Sequence, residues 1–285
     1  MILVTGATGH LGNATIEFLL ERGIEANQIS ALVRSTEKAQ DLKAKGINLV
    51  IGNYDNYTSL VTAFKNIDKL FFVSSSDISH RLQQHGNVVK AAKEANVNYV
   101  VYTSFQRKDE TEKSPLYGFV QVHILTDKWL KESGLTYTIL KNNVYMDFIP
   151  FFIGNDVLET GTIYLPAGNG KISFALRFEM AEAAASILAS SGHENKVYDF
   201  TNTEAYSYAD VAKYITEATG KEINYVSPTA EEYTKALANT GISQLNISVA
   251  LGQAQGEFDT TSYDLGNLLG RKPTILQDYL KTIYR

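Results

Sequence analysis

Ile2-Leu-Val-Thr-Gly-Ala-Thr-Gly-His-Leu-Gly12, an apolar β-prone run that passes without pause into three regularly spaced glycines, decides the fold. It reads as a strand, a tight turn and a helix start. Gly6 supplies the backbone angles of the turn, Gly9 lets the main chain approach a pyrophosphate, and Gly12 lets the helix pack closely on the strand. Phosphates then sit on the helix N-terminus, where unpaired N–H groups and the helix dipole favour an anion. The spacing, Gly6-x-x-Gly9-x-x-Gly12, is one residue longer than the tighter dinucleotide fingerprint. The strand before it, the helix after it and a further strand to follow turn a common Gly-rich turn into a dinucleotide signal. Gly6, Thr8, Gly9, His10, Leu11 and Gly12 form the candidate phosphate cradle.

Outward from this stretch the βα rhythm continues. Leu11, Thr15, Phe18 and Leu19 make the stripe of a helix packed on a sheet, and Gly23 stops that helix. The second strand, 29–33, ends in Arg34, where an NAD-preferring protein usually carries an acid for the ribose 2′-hydroxyl. A guanidinium suits a 2′-phosphate instead, through its charge and forked donor geometry; the plain alternative is a solvated arginine at the next helix start. A short helix capped by Ser35 or Thr36 and closed by Gly46 leads into 47–51, which reads as a buried strand. Gly52-Asn-Tyr-Asp55 follows the C-terminal end of that strand, where open α/β sheets bind ligands, so Asp55 borders an adenine unless the segment is only a turn. A fourth unit, strand 69–73 and a helix with Val88, Val89, Ala92 and Ala95 on its inner side, puts Val73, Ser74 and Ser75 near the nicotinamide half. Strand 99–103, ending in Thr103, delivers Ser104 and Phe105 to the same edge.

Residues 107–113 form a charged loop, most simply a solvated and mobile segment. A helix over 117–132, ended by Gly134, precedes a sixth strand, 136–140. The stretch beyond it, Asn142-Asn143-Val-Tyr145-Met-Asp-Phe148-Ile-Pro-Phe-Phe152, is densely aromatic and reads either as core or as a substrate wall. From about residue 153 the rhythm weakens and glycine-rich turns appear, with one strand-like stretch, 197–201, that returns to the main sheet. Three helices close the chain, with capping boxes at Ser207-x-x-Asp210, Thr229-x-x-Glu232 and Thr274-x-x-Gln277 and stops at Gly220 and Gly241. The expected fold is α/β: a Rossmann-type, doubly wound parallel sheet over 1–152 and a smaller C-terminal α+β substrate region over 153–285.

Composition bounds the function. The 285 residues contain no cysteine, which excludes disulfides, thiolate catalysis and cysteine-ligated metals. With the first strand at residue 2 there is no room for a secretory leader, and no apolar run approaches the roughly 18 residues of a membrane span. The cytosol is the default. A formal charge of -5 argues against nucleic acid as a partner. The histidines show no zinc-like pairing, so no metal is expected. A homodimer is compatible with the sequence.

Short-chain dehydrogenases normally need a tyrosine with a lysine four residues later on a helix, so that both face the cofactor and the lysine lowers the phenol pKa. Tyr137 and Lys141 have that spacing but lie in a strand, about 13 Å apart at roughly 3.3 Å per residue. On the helix, Tyr117 is followed four residues on by Gln121 and then by His123. The missing dyad, the GATGHLG turn, Arg34, the helix His123-Ile-Leu-Thr-Asp127-Lys-Trp-Leu-Lys-Glu-Ser-Gly134 and the strand Tyr137-Thr-Ile-Leu-Lys-Asn-Asn143 resemble the NmrA-like atypical short-chain dehydrogenases over essentially the whole chain. Within them the likeness is to the bacterial type 2 NAD(P)H:quinone oxidoreductases and triphenylmethane reductases. Asn53 and Asp127 depart from the usual aspartate and glutamate. The resemblance implies an NADP-binding Rossmann domain, a small substrate domain, and hydride transfer to quinones or related planar conjugated acceptors.

His123 matches a histidine near the place where other dehydrogenases carry their active-site lysine. The candidate catalytic residues are His123, Tyr117 and Asn143, with His123 positioning ribose or nicotinamide rather than moving a proton. Gly6 to Gly12, Arg34, Asp55, Val73, Ser74, Ser75, Thr103, Ser104 and Tyr145 are the candidate residues for NADPH. The expected function is an NADPH-dependent quinone reductase; the rival is a redox-sensing regulator that binds NADP or NAD and docks a partner protein without turnover.

Overall fold

The computed structural model describes residues 1–236 and 244–284. β1 (Ile2–Val4) runs into α1 (His10–Glu21), followed by β2 (Ile29–Val33), α2 (Gln40–Ala44), β3 (Asn48–Ile51), α3 (Tyr57–Ala63), β4 (Lys69–Phe72), α4 (Arg81–Glu94), β5 (Tyr99–Phe105), α5 (Tyr117–Ser133) and β6 (Thr136–Asn142). After these come α6 (Ile149–Ile153), α7 (Val157–Thr160), β7 (Thr162–Tyr164), α8 (Arg177–Ala189), β8 (Lys196–Phe200) and α9 (Tyr208–Thr219). The described chain closes with β9 (Asn224–Val226), α10 (Ala230–Ala236), α11 (Gln244–Ala254), α12 (Asp264–Leu269) and α13 (Leu276–Ile283).

The main sheet is parallel throughout in the order β3-β2-β1-β4-β5-β6-β8. Val4 pairs with Ala31 on one side and Phe71 on the other, so the strand order reverses at β1/β4. That switch point is where open sheets of this class leave a crevice at their C-terminal edge. Alternation along each strand sorts side chains to the two faces. Leu3, Leu32, Phe72, Val100, Tyr102 and Ile139 pack with residues of α3, α4 and α5, while Val4, Ala31, Phe71, Val101 and Leu140 pack with α1 and α8. Each fully buried Leu or Phe contributes on the order of 1.5–3 kcal/mol, which makes this alternation the main determinant of register.

The expected return of 197–201 is realised: β8 lies beside β6, with Leu140 opposite Tyr198. α8 adds a covering helix whose buried alanines, Ala181, Ala183, Ala184 and Ala185, sit in the same core as α1. The later part of the chain has its own core, with Met146, Ile163, Phe174, Val211, Phe258 and Leu276, and a two-stranded parallel sheet of β7 and β9. A division at 152 therefore leaves α8, β8 and α12 packed with the larger layer.

Four local expectations need correction. The strand expected to be buried at 47–51 is β3, an edge strand that pairs only with β2, and Ile51 is 55% exposed. Ser207–Asp210 and Thr229–Glu232 close reciprocal capping boxes, but Thr274 does not cap α13; its amide and hydroxyl donate to Glu179. α11 and α12 add to the three expected closing helices, and Gly241 lies outside the described residues. Finally, 107–113 is not simply solvated. Arg107 is buried, with Nη2 2.8 Å from Asp127 Oδ2, and the amides of Lys108 and Asp109 donate to the buried Glu257 at 2.8 and 2.9 Å. Glu257 comes from far along the chain, and a partner at that separation leaves no local pattern.

Candidate active site

Gly6 has φ +59°, the left-handed conformation its turn needs, and a Cβ on Gly12 would lie 2.4 Å from the Gly6 carbonyl oxygen. Glycine at both positions therefore holds the start of α1 against the end of β1. Gly9 is the N-cap residue of α1 and no side chain caps that end, so the first-turn amides face the crevice unpaired by side chains. The floor beside them is tied by hydroxyls. Thr5 Oγ1 accepts from the Val73 amide at 2.9 Å, and Tyr54 donates to the Val73 carbonyl at 2.7 Å.

From this point a single cleft of about 770 Å³ runs across the C-terminal edge of the sheet. Gly6, Thr8, Gly9, His10, Leu11, Gly12, Arg34, Asp55, Val73, Ser74, Ser75, Ser104, His123, Asn143 and Tyr145 all line it. Two expected residues do not. Thr103 lies beneath the wall and takes the Ser74 amide on its Oγ1 at 2.8 Å, and Tyr117 is absent from the lining. Tyr117 sits two positions before Phe119 on α5, and it is Phe119 and His123, one helical turn apart, that face the cleft. Phe148, Phe151 and Phe152 form an aromatic wall, and α11 contributes Leu245, Asn246 and Val249 from above. Asn143 is fully buried at the base of that wall, its amide donating to the Phe258 carbonyl at 2.9 Å.

Behind His123 a chain of hydrogen bonds orients the buried imidazoles. The Ser75 amide can only donate, and it does so to His85 Nε2 at 3.0 Å. His85 therefore carries its proton on Nδ1, which faces Thr126 Oγ1 at 3.0 Å. Burial, and then the Arg81 charge, push the His85 pKa down to about 3. Tyr102, whose burial holds its phenol protonated, lies 2.8 Å from His123 Nδ1, close enough to donate its hydroxyl proton there. With Tyr102 donating to Nδ1, His123 carries its proton on Nε2. Burial, followed by His85, Arg81 and Arg107, keeps its pKa well below the usual imidazole value. It is a neutral, oriented hydrogen-bond donor. Nothing in the sequence marked Tyr102 or His85, because the pattern that relates them is strand alternation against helix periodicity across three elements.

A family model described as NmrA-like matches residues 1–280. The chain belongs to the NmrA-like family. Quinone oxidoreductase 2 of Escherichia coli (strain K12) is 35% identical to it over 288 residues, covering 100% of this chain and 99% of that protein. The crystal structure of an Escherichia coli NADPH-dependent quinone oxidoreductase complexed with NADPH matches with a TM-score of 0.93 at 34% identity, covering 100% of both chains. Citrobacter sp. triphenylmethane reductase complexed with NADP(H) gives 0.90 at 33% identity, covering 99% of each.

This NmrA-like chain has the features a dinucleotide needs: a glycine cradle that a Cβ would obstruct, an uncapped helix N-terminus, and the exposed Arg34 at the far rim. No lysine lines the cleft among the described residues, and Tyr137 and Lys141 both lie in β6. The described residues also hold no cluster of His, Asp or Glu suited to a metal ion.

Proposed function

We propose that the chain is an NADPH-dependent reductase of quinones or similar planar conjugated acceptors. The observation that carries this is one continuous cleft joining the glycine cradle and Arg34 to the neutral donor His123 and the aromatic wall. When bound, NADPH supplies a hydride at its nicotinamide C4. The chain's own residues do the rest. Gly6 to Gly12 hold the pyrophosphate on α1, Arg34 takes the 2′-phosphate, and Ser74 and Ser75 flank the nicotinamide. The His123 Nε2–H orients ribose, carboxamide or acceptor oxygen, and Tyr145 and Phe148 stack a flat acceptor and keep water away. With no lysine at the cleft to lower a phenol pKa, proximity and alignment supply most of the catalysis. A quinone tolerates this, because its reduced anion is a far weaker base than an alkoxide.

The partner is thus a small molecule rather than nucleic acid. No helix among the described residues is long and apolar enough to cross a membrane, and we assign the chain to the cytosol. Stopped-flow oxidation of NADPH with a panel of small quinones tests the proposal. One-to-one consumption of NADPH and quinone is the expected result. Tight NADPH binding with no oxidation by any acceptor would instead favour a redox-sensing regulator.

A further inference from the structure

We propose that Arg81 makes the acceptor end of the cleft an anion site, so that the preferred acceptors are planar quinones carrying an ionised substituent such as a sulfonate or carboxylate. The substrate class rests on the reductase assignment above; the anion site itself does not. Arg81 opens α4, is only 5% exposed and lines the cleft. Among the described residues it pairs with no carboxylate. One of its nitrogens, Nη2, donates to the Phe119 carbonyl, and the guanidinium lies 4.2 Å from the centre of the Phe119 ring.

The other buried or half-buried arginines at this edge are neutralised, Arg107 by Asp127 and Arg177 by Asp147. The acids that line the cleft are engaged too: Asp55 accepts from Gln84 at 2.9 Å and Asp77 from His80 at 3.0 Å. A buried cation without a counter-ion is costly, and a ligand that brings the opposite charge removes the cost. The planar fork of an arginine matches a carboxylate or sulfonate through paired N–H bonds. Its position selects the acceptor over the cofactor phosphates. Phe119, on which it stacks, has its ring centre 6.0 Å from that of His123, whereas the glycine cradle and Arg34 follow β1 and β2 on the other side of the switch point.

Kinetics with 1,4-naphthoquinone and its 2-sulfonate, together with binding of the non-reducible naphthalene-2-sulfonate and naphthalene-2-methanol to the NADP-loaded protein, test this. The native protein should favour the sulfonate of each pair by about tenfold or more. Arg81→Met should bring both ratios close to one, and Arg81→Lys, which keeps the charge, should retain part of the preference and guard against a folding defect. Ratios near one in the native protein, or equal losses for both members of a pair in Arg81→Met, would overturn the proposal. A rise in the NADPH Kd with the ratios intact would also overturn it, by giving the guanidinium to a cofactor phosphate. If the binding preference survives in a protein that reduces no quinone, the anion site stands and only the reductase assignment falls.

Discussion

A buried imidazole takes its tautomer from its neighbours, and here a backbone amide at Ser75 sets the direction of the whole sequence His85, Tyr102, His123. Tyr102→Phe removes the proton donated to His123 Nδ1 and lets the Nε2 proton move inward, away from the cleft. We expect kcat/KM for a quinone to fall about tenfold and stability to drop by about 1–3 kcal/mol, the cost of a buried acceptor left unpaired. Steady-state kinetics and a thermal melt of the variant check both; an unaltered kcat/KM would remove Tyr102 from the site's function. At the far rim, charge-assisted hydrogen bonds of about 1.5–3 kcal/mol from Arg34 to a 2′-phosphate give roughly tenfold to hundredfold discrimination. Arg34→Ala should weaken NADPH by that factor and spare NADH. Equal losses in a fluorescence titration would show that Arg34 does not read the phosphate.

At the scale of elements, the junction of β1 and α1 depends on the absence of a side chain. In Gly12→Ala the new methyl would meet the Gly6 carbonyl oxygen at 2.4 Å, which either lifts α1 from the sheet or distorts the turn that cradles the phosphates. Overpacking of this kind costs about 1–3 kcal/mol, and a chain of this size loses roughly 2–4 °C in Tm per kcal/mol. Gly118 provides the contrast. It lies in the first turn of α5 with nothing within 4 Å of where a methyl would stand, so Gly118→Ala should be neutral or stabilise by about 0.5 kcal/mol. Melting curves and NADPH titrations of the pair should separate them: both properties lost at position 12, neither at 118. A Gly12→Ala protein with native Tm and cofactor affinity would refute the close-packing role.

For the molecule as a whole, the same buried imidazoles set its response to acid. His85 has its pKa depressed to about 3, and that of His123 is also well below the usual value. Unfolded, both take up protons below about pH 6.5; folded, they do so only in more acid solution. Their contribution is therefore fully present above pH 6.5 and is lost as pH falls, by up to about 1.4 kcal/mol per unit for each. Burial raises the Asp127 carboxyl pKa and opposes this drop in more acid solution. Denaturant unfolding at pH 7 and pH 5 should show stability falling in the native protein, with about 2 kcal/mol of the fall coming from His85, and falling by that much less in His85→Gln. An equal fall in both would place the acid sensitivity elsewhere.

Much of this architecture is local and so is written in the chain. The strand-turn-helix at Ile2 to Gly12, the apolar stripe of α1, the second strand ending at Arg34 and the return of β8 all rest on side-chain periodicity or on backbone angles that only glycine readily adopts. These act over a few residues and leave their pattern in adjacent positions. Most of the lining from Gly6 to Tyr145 follows the same logic, since it stands just past the C-terminal end of a strand, whereas His123 comes from the middle of α5. Tertiary structure decided the rest. β3 is exposed because it is an edge, a property of strand order and not of its own residues. The 107–113 loop became structural through Asp127, which pairs with Arg107, and Glu257, which takes the Lys108 and Asp109 amides, and Tyr102 rather than Tyr117 meets His123, because phase across a sheet and the helix packed on it determines which side chains touch. Arg81 is a charge without a partner only once every element around it is in place, since an ion pair needs its counter-charge within about 4 Å in space, whatever the distance along the chain.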